Sequence, residues 1–402
     1  MFMKLFKTLL VAPAALGLMS PLAATASEVN LNDISSYSDI DTIEFANSFN
    51  KDEVNDNQLI AGGEGLVSGS SHDGGFSETT TASFSADFYL GAVDGGTPST
   101  NDPLMATYGF QIDLNTSFTG EDSLDISLDA GNSITGAGST TGVTEFDGNA
   151  TADSLDVDGV SYTFPVLGAT VFVADNGDAS ALFTTACTYG GPTNTLDDCG
   201  NVNAAPTGGA VAAGVSYDFG NGFTTAAGFQ TITETVTGIA TEESKDAITF
   251  NGAYIGDNYG LSVSYATIED GLGAAEQSDT YTAFNAYYTP DLEYFPSISV
   301  GYEIGDDASG VSTNLNVPAE QTDESTSFFI GLQWDEAGPG SLGVAAGHSS
   351  TPEHMDEDYM YEIYYSYPVN DGMTITPVAY TKFGPSYETA ESAFLVKTAF
   401  SF

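Results

Sequence analysis

Runs of roughly ten residues, long enough for a tilted strand to cross a bilayer, alternate apolar and polar side chains along most of this chain. The closing run, Glu391 to Phe402, shows the pattern plainly. Phe394, Val396, Thr398, Phe400 and Phe402 fall on one side, and Ala393, Leu395, Lys397, Ala399 and Ser401 on the other. A side-chain period of two is that of a strand. The same pattern sets Phe84, Ala86, Phe88 and Leu90 against Ser85, Asp87 and Tyr89. It sets Phe110, Ile112 and Leu114 against Gln111, Asp113 and Asn115, and Leu124, Ile126 and Leu128 against Asp125, Ser127 and Asp129. It returns at Val215/Tyr217, Leu261/Val263/Tyr265, Ile298/Val300/Tyr302, Phe328/Ile330/Leu332/Trp334 and Tyr359/Tyr361/Ile363/Tyr365/Tyr367.

The connections narrow the architecture further. Short turns fall at 118–122, 165–168, 219–222, 256–260, 290–296, 335–340 and 370–372. Between them lie longer polar stretches at 93–103, 131–154, 175–208, 233–246, 269–277, 305–324, 349–357 and 384–390. A transmembrane barrel with short turns on one rim and long loops on the other requires that alternation, and a soluble sandwich does not. The predicted fold is therefore all-β, an antiparallel transmembrane β-barrel of about 16 strands. The terminal strand is expected to close the ring against 84–90, with Phe400 and Phe402 as the aromatic assembly signal of such barrels.

Targeting agrees with this reading. Residues 1–26 read as a signal peptide: Lys4 and Lys7, an apolar run from Leu9 to Leu22, then Ala24-Thr25-Ala26. Residues 27–75 read as an acidic periplasmic segment, and residues 76–402 as the barrel. The sequence has no later run of apolar residues long enough for a spanning helix, and closed barrels are the other structure that satisfies its backbone in lipid. The expected location is the cell outer membrane, with its lipid as a partner. The formal charge of −50, with only 6 Lys+Arg, removes nucleic acid from the partners. The 25 Phe and 21 Tyr argue against wholesale disorder despite that charge.

Charge also orients the wall. A charged side chain facing lipid costs up to ~2–4 kcal/mol at mid-depth. The less apolar face carries Asp87, Asp113, Asp125, Asp129, Asp218, Glu303, Glu362, Lys382 and Lys397, with Gln111, Asn251, Ser262, Ser264 and Gln333. These residues are expected to line a water-filled pore. Carboxylates outnumber ammoniums in that set, which predicts a preference for cations; the alternative is that the acids merely solvate a polar surface.

Cys187 and Cys199 share the 175–208 stretch, and in an exported chain that spacing suggests a disulfide. His72, His348 and His354 make a weak metal signal, and neither Asp175-Asn-Gly-Asp178 nor Gly305-Asp-Asp307 has the spacing of an EF-hand. No metal, cofactor or catalytic set is expected.

Three stretches resemble cyanobacterial outer-membrane porins of the OprB-like, iron-uptake-porin group. They are Leu114-Asn-Thr-Ser-Phe-Thr-Gly-Glu-Asp-Ser-Leu-Asp-Ile-Ser-Leu-Asp-Ala-Gly-Asn132, Pro296-Ser-Ile-Ser-Val-Gly-Tyr302, and the terminal hairpin from Tyr361 through Asn370-Asp-Gly372 to Pro377. The resemblance implies a trimeric porin passing small hydrophilic solutes, carbohydrates and inorganic ions among them. It also implies that the Cys187–Cys199 loop folds into the lumen as a constriction; a loop stapled outside the barrel is the alternative. Two departures stand out. The 27–75 segment is too short for the surface-layer-homology domain that family members usually carry. The strand from Leu124 to Ala130, normally basic in such porins, here carries Asp125 and Asp129. A structural or adhesive surface barrel, such as a phage receptor, is the competing function.

Overall fold

A computed structural model describes residues 80–94, 104–132, 145, 149, 151–231, 239–241, 244–269, 278–292, 294–306, 324–352, 357–383 and 390–402. The signal peptide, the acidic segment, the expected start at Phe76, His72 and His354 lie outside them. The first strands are β1 (Thr80–Asp94), β2 (Met105–Thr116), β3 (Ser123–Gly131) and β4 (Asp156–Val166). Next come β5 (Ala169–Asp175), β6 (Val211–Gly220), β7 (Phe223–Thr231) and β8 (Asp246–Ile255). β9 (Tyr259–Glu269), β10 (Ser278–Tyr288), β11 (Ser297–Asp306) and β12 (Glu324–Ala337) follow. The last are β13 (Gly340–Pro352), β14 (Met360–Asn370), β15 (Met373–Lys382) and β16 (Glu391–Ser401).

Every neighbouring pair is antiparallel, and β16 returns to β1 to close a sixteen-strand barrel. Closure removes the unpaired edges that would otherwise template aggregation. Phe402 completes the seam: its N–H donates to the Phe84 carbonyl at 3.0 Å, and its carbonyl accepts from Phe84 N–H at 2.9 Å. The two rings stack at 5.7 Å. Phe400 meets Phe88 edge-on at 5.9 Å.

The outer wall is apolar, with Phe88, Leu90, Leu261, Val263, Phe284 and Ile363 exposed. Toward the short-turn rim it gathers aromatic pairs, among them Tyr162–Phe164 at 5.2 Å, Tyr217–Phe219 at 4.9 Å and Phe223–Tyr254 at 4.6 Å. A belt of this kind is unfavourable in water and well solvated by lipid, with aromatic rings at the interface.

The 114–132 stretch folds as a hairpin around one carboxylate. Asp122 Oδ1 accepts from Phe118 N (3.0 Å), Thr119 N (2.7 Å) and the hydroxyls of Ser117 and Thr119, while Tyr162 donates to Oδ2 at 2.6 Å. The Tyr162 bond, followed by those from Thr119 and Ser117, outweighs burial and holds Asp122 well below the usual carboxylate range. Gly120 takes φ 85° at the tip. β13 extends through Pro352, beyond the loop boundary expected at 349, and places His348 on the outer wall with its ring 5.3 Å from Tyr359.

Candidate functional site: the inner wall and the inward loop

Directly paired residues share a face of the sheet, so the register assigns the inner wall strand by strand. Asp87 pairs with Ala399 and Gly109, Asp113 with Ser127, Asp125 with Ser161, and Asp129 with Asp156. Asp218 pairs with Thr224, Glu303 with Ala283 and Ser327, Glu362 with Ala345 and Tyr380, Lys382 with Glu391, and Lys397 with Thr376. Followed around the ring, all of these fall on the face opposite the apolar belt.

The connection 176–210 runs along that face. Ala179 N donates to Gln230 at 2.7 Å, Thr184 N to Asn251 at 3.1 Å, Ala186 N to Ser262 at 2.9 Å and Thr188 N to Ser299 at 2.9 Å. On the return, Asn285 Nδ2 donates to the Cys199 carbonyl at 2.8 Å and Ser327 to the Gly200 carbonyl at 2.7 Å. The path covers the wall from β7 to β14. A loop buried this way has to satisfy its backbone, and the serines and asparagines of the wall supply the partners.

Two wall glycines let it come close. A β-carbon at Gly228 would lie 1.9 Å from the Ala179 oxygen, and one at Gly301 would lie 1.7 Å from the Cys199 oxygen. Cys187 and Cys199 are joined as a disulfide inside the loop, with their Cα atoms 6.5 Å apart. Tyr189, Leu196 and Cys199 pack on Phe329, Met360, Tyr364 and Leu395, an apolar core within the barrel.

The covered wall differs from its sequence reading. Asn251, Ser262, Ser264, Gln333, Glu303 and Glu362 are buried beneath the loop or beside it, not open to water. Glu303 Oε2 accepts from Asn203 N at 2.8 Å and Ala204 N at 2.7 Å, and Oε1 from Asn203 Nδ2 at 2.9 Å. Glu362 accepts from the Tyr189 hydroxyl at 2.5 Å. Burial first, then the Glu362 charge and that hydrogen bond, push the Tyr189 hydroxyl well above its ordinary value, so it stays a donor. Alternation marks the face of such residues but not what covers it. Asp198, in the same loop, keeps an exposed surface. Desolvation, then the Glu303 carboxylate, push it up to about 6.

On the inner faces of β1 to β5 the acids stay partly exposed. Asp113 accepts from Gln111 at 2.8 Å and Ser127 at 2.7 Å, and Asp125 from Ser123 at 2.7 Å, all neutral donors. A bulge in β4 adds Asp158 here. The loop and β3–β5 enclose an open cavity of about 540 Å³ lined by Asp125, Ser127, Asp158, Ser161 and Asp178. Asp218 lies exposed at the short-turn rim and accepts from Gly220 N at 2.7 Å.

Both inner-face lysines are ion-paired. Lys397 Nζ is 2.7 Å from Asp87 and 5.6 Å from the centre of the Tyr89 ring. Lys382 Nζ is 2.8 Å from Glu145 of the β3–β4 connection, a residue that alternation could not single out because it lies outside any strand.

No protein-family model matches the sequence, and no curated protein does. Solved structures do. A mutant of Rh. blastica porin is 14% identical with a TM-score of 0.51, covering 80% of this chain and 100% of that one. The high-pH structure of Pseudomonas putida OprB is 11% identical with a TM-score of 0.57, covering 81% of this chain and 94% of that one. The chain has the porin fold. At such identities the match concerns the barrel alone.

Proposed function

We propose that this protein is an outer-membrane porin, a passive diffusion channel for small hydrophilic solutes and inorganic ions that favours cations. The observation that carries the reading is the unequal treatment of charge on the inner wall. Lys382 and Lys397 are each held against a carboxylate, whereas Asp113 and Asp125 are bonded to neutral donors. Carboxylates along a low-dielectric passage concentrate cations and repel anions.

Residues 1–26 serve as the export signal, 27–75 as a periplasmic segment, and the working unit is a homotrimer in lipid. The Cys187–Cys199 loop narrows the lumen, and Phe400 and Phe402 mark the strand that assembly recognises. No reaction chemistry is assigned to the barrel. In planar bilayers the purified protein should insert in discrete conductance steps and show heat-modifiable gel migration. A folded, inserted barrel that never conducts would instead favour the adhesive or structural role. Deleting Phe402 removes two backbone hydrogen bonds at the seam and should lower outer-membrane yield; an unchanged yield would count against the assembly role.

A further inference from the structure

Glu145 belongs to the connection between β3 and β4, yet it is only 4% exposed. Its carboxylate accepts from Lys382 Nζ at 2.8 Å, from Thr195 Oγ1 at 2.9 Å and from Thr195 N at 3.1 Å. Its backbone carbonyl accepts from Asn194 N at 3.1 Å. Lys382 Nζ also donates to Thr195 Oγ1 at 3.1 Å. One carboxylate thus joins three separate elements: the β3–β4 connection, the far end of the inward loop, and the last residue of β15. Around the ring, β2, β1 and β16 stand between β3 and β15. The link therefore joins elements on either side of these three strands at the long-loop end. The pair is nearly dry, with side-chain exposures of 14% for Lys382 and 5% for Glu145. A desolvated pair of this kind strongly disfavours the loss of either partner, because the other charge is then buried alone.

We propose that the Glu145–Lys382–Thr195 link is a latch that fixes the inward loop at the long-loop mouth and so sets the width of the entrance. The inference rests on the channel reading above. Glu145 and Lys382 are positioning residues here: they act through the loop, and their opposite charges cancel in the field that a permeant meets. A latch and a charged lining predict different signs. Removing a lining carboxylate and removing a lining ammonium shift ion preference in opposite directions, whereas breaking a latch from either side has one consequence.

The test uses the full-length protein and the variants Glu145→Gln, Lys382→Met and the double variant, each checked for heat-modifiable migration. Both single variants should raise unitary conductance and open-channel noise in bilayers. Both should speed chymotrypsin cleavage of the folded barrel after Phe183 or Tyr189. The double variant should go no further than either single one, the non-additivity of a direct coupling. Opposite shifts of reversal potential with conductance and cleavage unchanged would overturn the latch, as would additive effects or none. Cleavage needs no conductance. A wild-type protein that is silent in bilayers would refute the channel reading, and the cleavage rates would still decide whether the link holds the loop.

Discussion

On β2 and β3 the inner face carries Gln111, Asp113, Asp125, Ser127 and Asp129, strictly alternating with outward Phe, Ile and Leu. On β12, β14 and β16 the same face carries Phe329, Tyr364 and Leu395, all buried. Both arcs belong to one sheet with one pleat. They differ in what they meet: water on the first, the inward loop on the second. The inner acids divide in the same way. Glu303 and Glu362 hold loop groups by hydrogen bonds, while Asp113 and Asp125 stay open to the lumen. A carboxylate on the inner wall can hold the loop or face the lumen, and its register alone does not say which.

The largest break in this contrast should come from Glu303→Ala. It orphans the N–H groups of Asn203 and Ala204 under the loop, at a cost on the order of 1–3 kcal/mol for each donor. Hydrogen exchange of the 176–210 amides should accelerate, whereas Asp113→Asn should leave that exchange unchanged. Gly301→Ala comes next. Its methyl group would meet the Cys199 carbonyl, and overpacking of this kind costs roughly 1–3 kcal/mol. The same exchange measurement should show the loop loosened around the disulfide, with the barrel still heat-modifiable.

A smaller effect follows from pH. Asp198 has its pKa raised from 3.8 to about 6 in the docked loop. The docked loop therefore binds a proton more tightly than a freed loop would. Docking is firmest below the ordinary carboxylate value and loses that contribution as pH rises through about 6. Loop amides, corrected for intrinsic exchange rates, should be better protected at about pH 5 than at about pH 7.5. Asp198→Asn should flatten the difference.

Much of the fold was legible because alternation and connection length are imposed by the barrel itself. The short turns at 118–122 and 370–372 and the closing strand ending at Phe402 stand where the pattern puts them. The open arc was legible for the same reason, since every second residue from Phe110 to Leu114 and from Leu124 to Leu128 is apolar. The covered arc was not, because serine, asparagine and glutamate suit water and a buried loop backbone equally well. A signal was nevertheless present. Phe328-Phe329-Ile330 and Phe394-Leu395-Val396 are apolar on both faces, which a wall between lipid and water has no reason to be. Such breaks in alternation mark where the loop packs. Glu145 carried no comparable signal, since its partners Thr195 and Lys382 are distant in sequence and it lies outside any periodic run.

The open arc is proposed to supply the selectivity of the channel. This is tested most directly by the reversal potential of the channel under a KCl gradient, wild type against the combined Asp113→Asn, Asp125→Asn and Asp129→Asn variant. The wild type should give a potential of the sign for K⁺ over Cl⁻, and the variant should lose most of it with the loop still docked. An anion-selective or unselective wild type, or a variant with undiminished cation preference, would contradict that proposal.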